Sequence, residues 1–317
     1  MTPRVRELAR GLQFPEGPLV EPDGSVLVSE MAGGRVTRVR RDGATALVAT
    51  TGGGPNGLGR LPDGTLLVCQ GGGSRWQSRP WPFDLPGSVD LLLPAGPADD
   101  ALTPQVQTID PDGTVATLTT SFVGLDGIEH PLGRPSDICV DADGGFWMTD
   151  GGASHGRDRS LTGLLYGTPG LAPGTPLREV LYPLEMPNGV ALSLDGTRLF
   201  ATETRTRRVW EFSLAPGGVI EGARGFATVP SGGPMNFGGA DGVCVDGDGR
   251  VVVATLGTGG VTVFSPEGDL RGVLVLDDRM TSNAAFDTRS GALVVTLAST
   301  GRVLVIDDWP NGVVAAS

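Results

Sequence analysis

The sequence predicts an all-β fold, a six-bladed β-propeller with four antiparallel strands per blade, formed by a single domain over residues 1–317. One strand–turn–strand motif recurs six times, mostly at intervals of about 40 to 50 residues, with strand-like runs such as "GRVTRVRR" between the copies. The chain contains 51 glycines and 25 prolines but only 5% aromatic residues. This composition is typical of many short strands joined by tight turns.

Each copy of the motif begins with a polar residue at the start of a short strand, here called strand A. An Asp-Gly type turn then leads to a second strand, B, as in "NGVALSLDGTRLFAT" from Asn188 onward. We expect strands C and D to complete each blade. The polar residues that begin the six copies are Glu16, Asn56, Ser136, Asn188, Asp241 and Asn283.

Two insertions and the closure of the ring complete the predicted architecture. Residues 71–104 and 151–162 fall between strands B and C of the second and third blades, on the face where strand A begins. The first insertion is rich in proline, and we expect no regular element in it. The last blade shows only three strands, and its fourth comes from either "RVRELAR" at the N-terminus or "NGVVAAS" at the C-terminus.

Composition also limits the partners of the protein. A net charge of −12 argues against nucleic acid or an anionic membrane as a partner, and the absence of lysine excludes Schiff-base chemistry. Cys69, Cys139 and Cys244 lie in apolar runs and read as reduced core thiols. With no apolar signal core and no long apolar run, we expect a cytoplasmic monomer or dimer that acts on a small molecule.

The six polar residues that begin strand A should form a ring at one mouth of the axial channel. Any one of them could be an ordinary turn residue that bonds the local backbone. Six in register are less easily explained in this way, least of all Glu16, because Glu is a poor turn former. Converging carboxylates favour a bound cation, and oxygen ligands without His or Cys favour a hard one. Ca²⁺ is the first choice, with Mg²⁺, Mn²⁺ and Zn²⁺ as alternatives.

Three segments resemble the regucalcin/gluconolactonase family, also called the senescence-marker-protein family: "FPEGP", "PNGVALSLDGTRLFATET" and "ADGVCVDGDGRVVVA". The resemblance covers roughly residues 12–305. It implies a six-bladed propeller that holds one divalent metal in its channel and often hydrolyses lactones. By the same resemblance Glu16, Asn188 and Asp241 are metal ligands, and Asp241 is the favoured general base, with Glu16 as the alternative.

The resemblance also implies substrate-binding residues and one departure from the family pattern. Arg134 matches an arginine that contacts substrate in several members, although a surface ion pair would explain it equally well. Ser136 stands where the family has Asn, so it would reach the metal through water or shape the substrate pocket instead. Asn56 matches an Asn of bacterial members and is expected to line the channel.

The connections over the mouth carry further candidates. Trp76, Trp81 and Phe83 in the first insertion would cap the pocket and favour a fairly apolar substrate, or would merely anchor the loop. His155 in the second insertion is a candidate substrate-binding residue or second acid or base, and His130 precedes the third blade on the same side; surface histidines are the plainer interpretation of both. Met235 and Phe237 lie in another connection over the mouth. The residues at the ends of the B strands, expected to orient the ring from behind, are Glu30, Gln70, Asp150 and Glu203.

These inferences favour a divalent-metal-dependent hydrolase of the lactonase type. In that reaction the metal polarises the lactone carbonyl and activates water, and Asp241 or Glu16 accepts the proton. Two alternatives stay open. The same site could serve phosphotriester hydrolysis or the cyclisation or isomerisation of a natural product, or the propeller could bind metal without catalysis.

Overall fold

A computed structural model of the chain describes residues 3–81, 89–155, 158–231 and 239–309. All regular elements among these residues are β-strands, arranged as six sheets around one axis with two additional two-stranded ribbons. The predicted six-bladed propeller is therefore confirmed. None of the described residues forms a helix long and apolar enough to cross a membrane.

Within each blade the strands run from the axis outward in the order A, B, C, D. After the N-terminal strand β1 (Arg4–Ala9), the first blade consists of β2 (Pro15–Val20), β3 (Val26–Glu30), β4 (Arg35–Val39) and β5 (Thr45–Thr50). The second blade begins with β6 (Pro55–Arg60) and β7 (Leu66–Gln70), is interrupted by the ribbon β8 (Ser74–Trp81) and β9 (Val89–Pro97), and ends with β10 (Gln105–Ile109) and β11 (Val115–Thr119).

The third blade is larger than the others. Before its first strand come β12 (Ser121–Val123) and β13 (Glu129–Pro131), and the blade itself consists of β14 (Pro135–Val140), β15 (Phe146–Asp150), β18 (Thr162–Gly167) and β19 (Leu177–Leu184), with the short strands β16 (Ser154–His155) and β17 (Asp158–Arg159) between its B and C strands. Strand β12 pairs in parallel with β19, so the outer edge carries two extra strands. These strands cover an edge that would otherwise be open to pairing.

The last three blades follow the four-strand plan. The fourth blade consists of β20 (Pro187–Leu192), β21 (Arg198–Glu203), β22 (Arg208–Ala215) and β23 (Val219–Thr228). The fifth consists of β24 (Gly239–Val245), β25 (Val251–Leu256), β26 (Val261–Phe264) and β27 (Leu270–Leu274), and the sixth contains β28 (Thr281–Asp287), β29 (Ala292–Leu297) and β30 (Arg302–Asp307).

The N-terminal strand closes the ring. Strand β1 pairs antiparallel with β30 and supplies the outer strand of the sixth blade, with Val5 opposite Ile306. The sequence analysis did not decide which terminus closes the ring. The structure shows that the N-terminal "RVRELAR" segment does so. Leu8 and Ala9 at the end of β1 are buried between the sixth and first blades, so the closure rests on packing as well as on hydrogen bonds.

The hydrophobic core lies between neighbouring blades. Each pair of adjacent sheets encloses its own cluster, as where Phe200 of the fourth blade packs with Val243 and Phe264 of the fifth. Six such clusters encircle the molecule. Because the apolar side chains are used between the blades, the channel-facing start of strand A is free to carry polar groups.

The first insertion contains regular structure, contrary to our expectation. Strands β8 and β9 form an antiparallel hairpin in which Trp76 pairs with Pro94 and Pro80 with Asp90. A two-stranded ribbon tolerates proline because each strand has one side that makes no ladder bonds. Leu91 and Leu93 of β9 are buried, and this burial, which turn signals in the sequence do not reveal, stabilises the hairpin.

Candidate functional site

A cavity of about 240 Å³ opens at the end of the axis where the A strands begin. It brings together nearly all the residues predicted to form the site: Glu16, Asn56, Trp76, Trp81, Arg134, Ser136, Asn188 and Asp241. The side chain of His155 is not described, and Phe83, Met235 and Phe237 lie outside the described residues. Residues up to 225 positions apart thus meet because each begins, or covers, the inner strand of a blade.

The prediction is wrong for one member of the ring, Asn283. Asn283 does not line this cavity but a second one, of about 350 Å³, at the opposite end of the channel. Its backbone amide donates to Thr296 Oγ1, as that of Asp137 donates to Thr149 Oγ1, so Asn283 is the counterpart of Asp137 and not of Ser136. Ser282 therefore occupies the ring position in the sixth blade. The Asn-Ala-Ala sequence lacks the Gly that fixes the register of most other copies.

Glu16 and Asp241 form the acidic part of the floor. Both side chains are buried, with 6% and 5% of their surface exposed. Burial and then the charge of Asp137 raise the pKa of Glu16 to about 8, while the Gly17 amide, Asn283 and Arg134 oppose the shift. Burial, followed by the charges of Glu16 and Asp137, raises the pKa of Asp241 well above its usual value. The floor therefore holds carboxylates with too little positive charge around them.

Asp241 is the less well solvated of the two. Its backbone carbonyl accepts a hydrogen bond from Thr202 Oγ1 at 2.7 Å, which fixes the strand. Within the described residues, however, no donor bonds the Asp241 carboxylate. A buried carboxylate without donors is costly, and a cation on the axis would remove that cost.

The amide and hydroxyl groups of the ring are oriented by their neighbours. Asn188 Nδ2 donates to Thr204 Oγ1 at 3.1 Å, and no described donor bonds Asn188 Oδ1. Ser136 Oγ donates to the Arg134 carbonyl at 3.1 Å and lies so close to Gly151 that a Cβ there would stand 2.9 Å from it. The oxygens of both side chains can thus still accept a cation or a water molecule.

Two residues that the sequence analysis did not select close the channel beneath the floor. Asp137 and Asn283, here called the axial plug, approach each other at 3.5 Å between Asn283 Nδ2 and Asp137 Oδ2. They lie over glycines of the neighbouring blades, since a Cβ on Gly57 would stand 2.5 Å from Asp137 Oδ1 and one on Gly242 would stand 2.0 Å from Asn283 Oδ1. The two cavities share no lining residue. The plug thus separates the two cavities. Most other copies of the motif have Gly at this position, and this recurrence was the signal that could have revealed the plug.

Asp137 also adds a third carboxylate to the axis. It is 7% exposed, and its Oδ1 accepts a hydrogen bond from the Ile138 amide at 2.9 Å. Its Oδ2 accepts one from the Val190 amide of the next blade at 3.3 Å. Burial nevertheless raises the pKa of Asp137 to about 7. Asp137 thus adds to the unbalanced negative charge near the axis.

The residues that end the B strands hold the chain just before the ring. Glu30 Oε2 accepts a hydrogen bond from the Gln13 amide at 2.7 Å, and Asp150 Oδ1 accepts one from the Arg134 amide at 2.6 Å. Gln70 and Glu203 accept equivalent bonds from the amides of Gly54 and Glu185. Their expected orienting role is exerted on the backbone that precedes strand A rather than on ring side chains.

The donor set fits a hard divalent cation. The described residues contain no cluster of three or more His, Cys, Asp or Glu side chains placed to hold a metal. The axial donors are instead a mixture of carboxylate, amide and hydroxyl oxygens. Glu16, Asn188 and Asp241 are the residues that would hold such an ion. Oxygen donors with two carboxylates suit Ca²⁺ or Mg²⁺ better than Zn²⁺.

The walls above this floor are largely apolar. The rings of Trp76 and Phe14 contact each other at a tilt of 43°, with centroids 4.5 Å apart. Leu92 of the same hairpin donates its amide to Ser299 of the sixth blade. The hairpin thus crosses from the second blade over the first to the sixth. The apolar residues that line the cavity are Phe14, Met31, Trp76, Trp81, Leu93, Pro94, Met186, Pro187, Leu256 and Met280.

His130 lies away from this cavity, which agrees with its plainer interpretation as a surface histidine. It belongs to β13 at the outer edge of the third blade, where its ring stacks on Phe122 and Nε2 contacts Asp126 at 3.1 Å. The sequence analysis did not recognise β12 and β13. The pairing of these two strands places His130 at the periphery of the molecule.

The structure is thus a closed six-bladed propeller with a candidate site on its axis. The floor of this site is lined by oxygen atoms, and an apolar hairpin lies over it. A family model described as the SMP-30/gluconolactonase/LRE-like region matches residues 14–299. The chain belongs to this family, which confirms the resemblance seen in the sequence.

Individual relatives agree with this assignment. Lactonase drp35 of Staphylococcus saprophyticus is 28% identical over 277 residues, which cover 85% of this chain and 72% of that protein. Lactonase drp35 of Staphylococcus haemolyticus is 34% identical over 146 residues, which cover 45% of this chain and 42% of that protein. Curated relatives of this chain are therefore named as lactonases.

Solved structures share the fold. A gluconolactonase from Xanthomonas campestris superposes with a TM-score of 0.72 at 24% identity, covering 96% of this chain and 89% of that one. A calcium-binding regucalcin from Agrobacterium tumefaciens gives a TM-score of 0.67 at 16% identity, covering 93% and 90% of the two chains.

Proposed function

We propose that this protein hydrolyses lactones in the axial cavity with the help of one divalent cation, Ca²⁺ being the first choice. The observation that carries the proposal is the convergence of two buried carboxylates and an unpaired amide oxygen at the floor of a cavity with apolar walls. Membership of a family with lactonase-named relatives supports the reaction type. A bound cation would polarise the lactone carbonyl and acidify water.

The residues of the chain would perform the proton transfers and position the substrate. Asp241, at the floor of the cavity, takes a proton from the attacking water. The water oxygen bonds to the carbonyl carbon, the ring C–O bond breaks, and the proton passes to the departing ring oxygen, which leaves a hydroxy acid. Arg134, beside the floor, stabilises negative charge on the carbonyl oxygen, and the apolar walls hold the arm of the substrate.

Chelation and add-back test this function. Purified protein treated with EDTA should lose hydrolysis of a panel of sugar, aliphatic and aryl-bearing lactones, and should regain it with Ca²⁺, Mg²⁺ or Mn²⁺. The apolar walls lead us to expect faster turnover of the aryl-bearing lactones than of the sugar lactone. A protein that gains thermal stability with the ion but hydrolyses no lactone of the panel would be a cation binder, and the proposal would be wrong.

A further inference from the structure

Arg79 is the second arginine, besides Arg134, that lines the cavity. Arg79 lies on β8 opposite Leu91, so it shares one face of the hairpin with Leu91 and Leu93, both of which are buried. It lines the cavity and is exposed there. Within the described part of the chain it forms no ion pair and no hydrogen bond. A guanidinium left open beside an apolar wall is available to an anion.

The charges around the cavity leave this arginine in excess. Glu16 and Asp241 are the acidic residues, and Arg79 and Arg134 the basic ones, among the described residues that line it. A divalent cation on the floor would neutralise the two carboxylates, and Asp150, whose carboxylate interacts electrostatically with Arg134, would balance that arginine. One positive charge, that of Arg79, then remains uncompensated in a protein whose net charge is −12.

We propose that the substrate is a lactone whose apolar arm carries a carboxylate, and that this carboxylate pairs with the Arg79 guanidinium under the hairpin. The inference rests on the proposed lactonase function. Trp76, Trp81 and Leu93 contact the arm between the polar floor and the arginine. A carboxylate matches the single surplus charge and the forked donors of guanidinium, whereas a doubly charged phosphate would exceed that charge.

The test compares two lactones with the same phenylalkyl arm, one ending in a carboxylate and the other in a carboxamide. With saturating Ca²⁺ the wild-type protein should prefer the carboxylate by about tenfold in kcat/KM, mainly through KM, as expected for a charge-assisted pair. Arg79→Gln should bring the ratio to about one, and Arg79→Glu should invert it. Arg75→Gln is the matched control, since Arg75 is exposed on the same strand but does not line the cavity, and it should keep the wild-type ratio.

Equal kcat/KM values of the wild-type protein for the two lactones, or a ratio that Arg79→Glu leaves unchanged, would overturn the inference while leaving the lactonase function intact. Hydrolysis of neither lactone would instead contradict the lactonase function. Binding then decides the inference without turnover, by thermal shift of the Ca²⁺-loaded protein with a phenylalkanoic acid and with its amide. Tighter binding of the acid that is lost in Arg79→Gln supports the role of Arg79, and equal binding in both proteins refutes it.

Discussion

Asp241 combines burial with the absence of donors to its carboxylate among the described residues, and this makes the role of a single residue testable. We predict that Asp241→Asn lowers kcat at least about a hundredfold, because the general base and one charge of the cation site are lost together. The rise in melting temperature on adding Ca²⁺ should disappear. The cation-free variant should be no less stable than the wild type, because a neutral amide is not repelled by Glu16.

A surface exchange provides the control for this variant. Asp63→Asn removes an exposed carboxylate whose Oδ1 bonds the Thr65 amide in a turn, and it should leave both activity and the calcium-induced shift unchanged. A calcium-induced shift of wild-type size in Asp241→Asn would show that this residue is not a ligand.

The raised pKa values of Glu16 and Asp137, about 8 and about 7, predict how stability depends on pH. A carboxylate whose folded pKa exceeds its unfolded pKa favours folding when protonated, and this contribution is lost as pH rises through the folded value. The free energy of unfolding of EDTA-treated protein should therefore fall between about pH 5 and pH 8 in urea titrations. Saturating Ca²⁺ should stabilise most at the upper end, where protons no longer compete. A cation-free stability that rises across this range would contradict the electrostatic account of the floor.

At the scale of elements, the hairpin formed by β8 and β9 contributes the apolar wall. We predict that Trp76→Ala raises KM for an aryl-bearing lactone by about fivefold or more with little change in kcat, because the ring contact with Phe14 and one wall of the cavity are lost. A small sugar lactone should be affected much less. Tyr182→Ala, which removes a half-exposed aromatic side chain of the third blade, should change neither value in steady-state kinetics.

Elements with internal repetition were predictable, and elements without it were not. The Asp-Gly turns and alternating apolar runs located the inner strands, because those signals are local. The hairpin, and the strands β12 and β13 that carry His130 to the periphery, occur once and depend on tertiary packing. Asn283 was misplaced by one position because its copy lacks the Gly that marks the register of most others. The residues Glu16 and Ser136 line the first cavity, and the residues that follow them, Gly17 and Asp137, line the second.

At the scale of the whole molecule, the ring depends on the junction of its first and last strands. We predict that Leu8→Ala lowers the free energy of unfolding by about 2–4 kcal/mol, since Leu8 is buried in the cluster between the sixth and first blades. Leu47→Ala is the matched control: Leu47 lies on the outer strand of the first blade, is 63% exposed, and should change stability by less than about 0.5 kcal/mol. Equal midpoints in urea for the two variants would show that the junction does not limit stability.

The symmetry of the propeller explains why most of the site could be predicted without coordinates. Equivalent positions of successive blades meet on the axis, so a repeated polar residue implies a ring. The sequence could not reveal that Asp137 and Asn283 fill the space left by glycines, because that contact joins different blades. Nor could it show that Arg79 lines the cavity without a partner among the described residues, since this depends on where the hairpin folds.

The axial plug closes the lower end of the axial cavity. Whatever enters past the hairpin must back out along the same path, since the far mouth of the channel offers no exit. Ring opening lengthens the substrate and adds a charge, so departure becomes harder than arrival. For lactones with a long arm, release of the hydroxy acid, rather than bond cleavage, is expected to be rate-limiting.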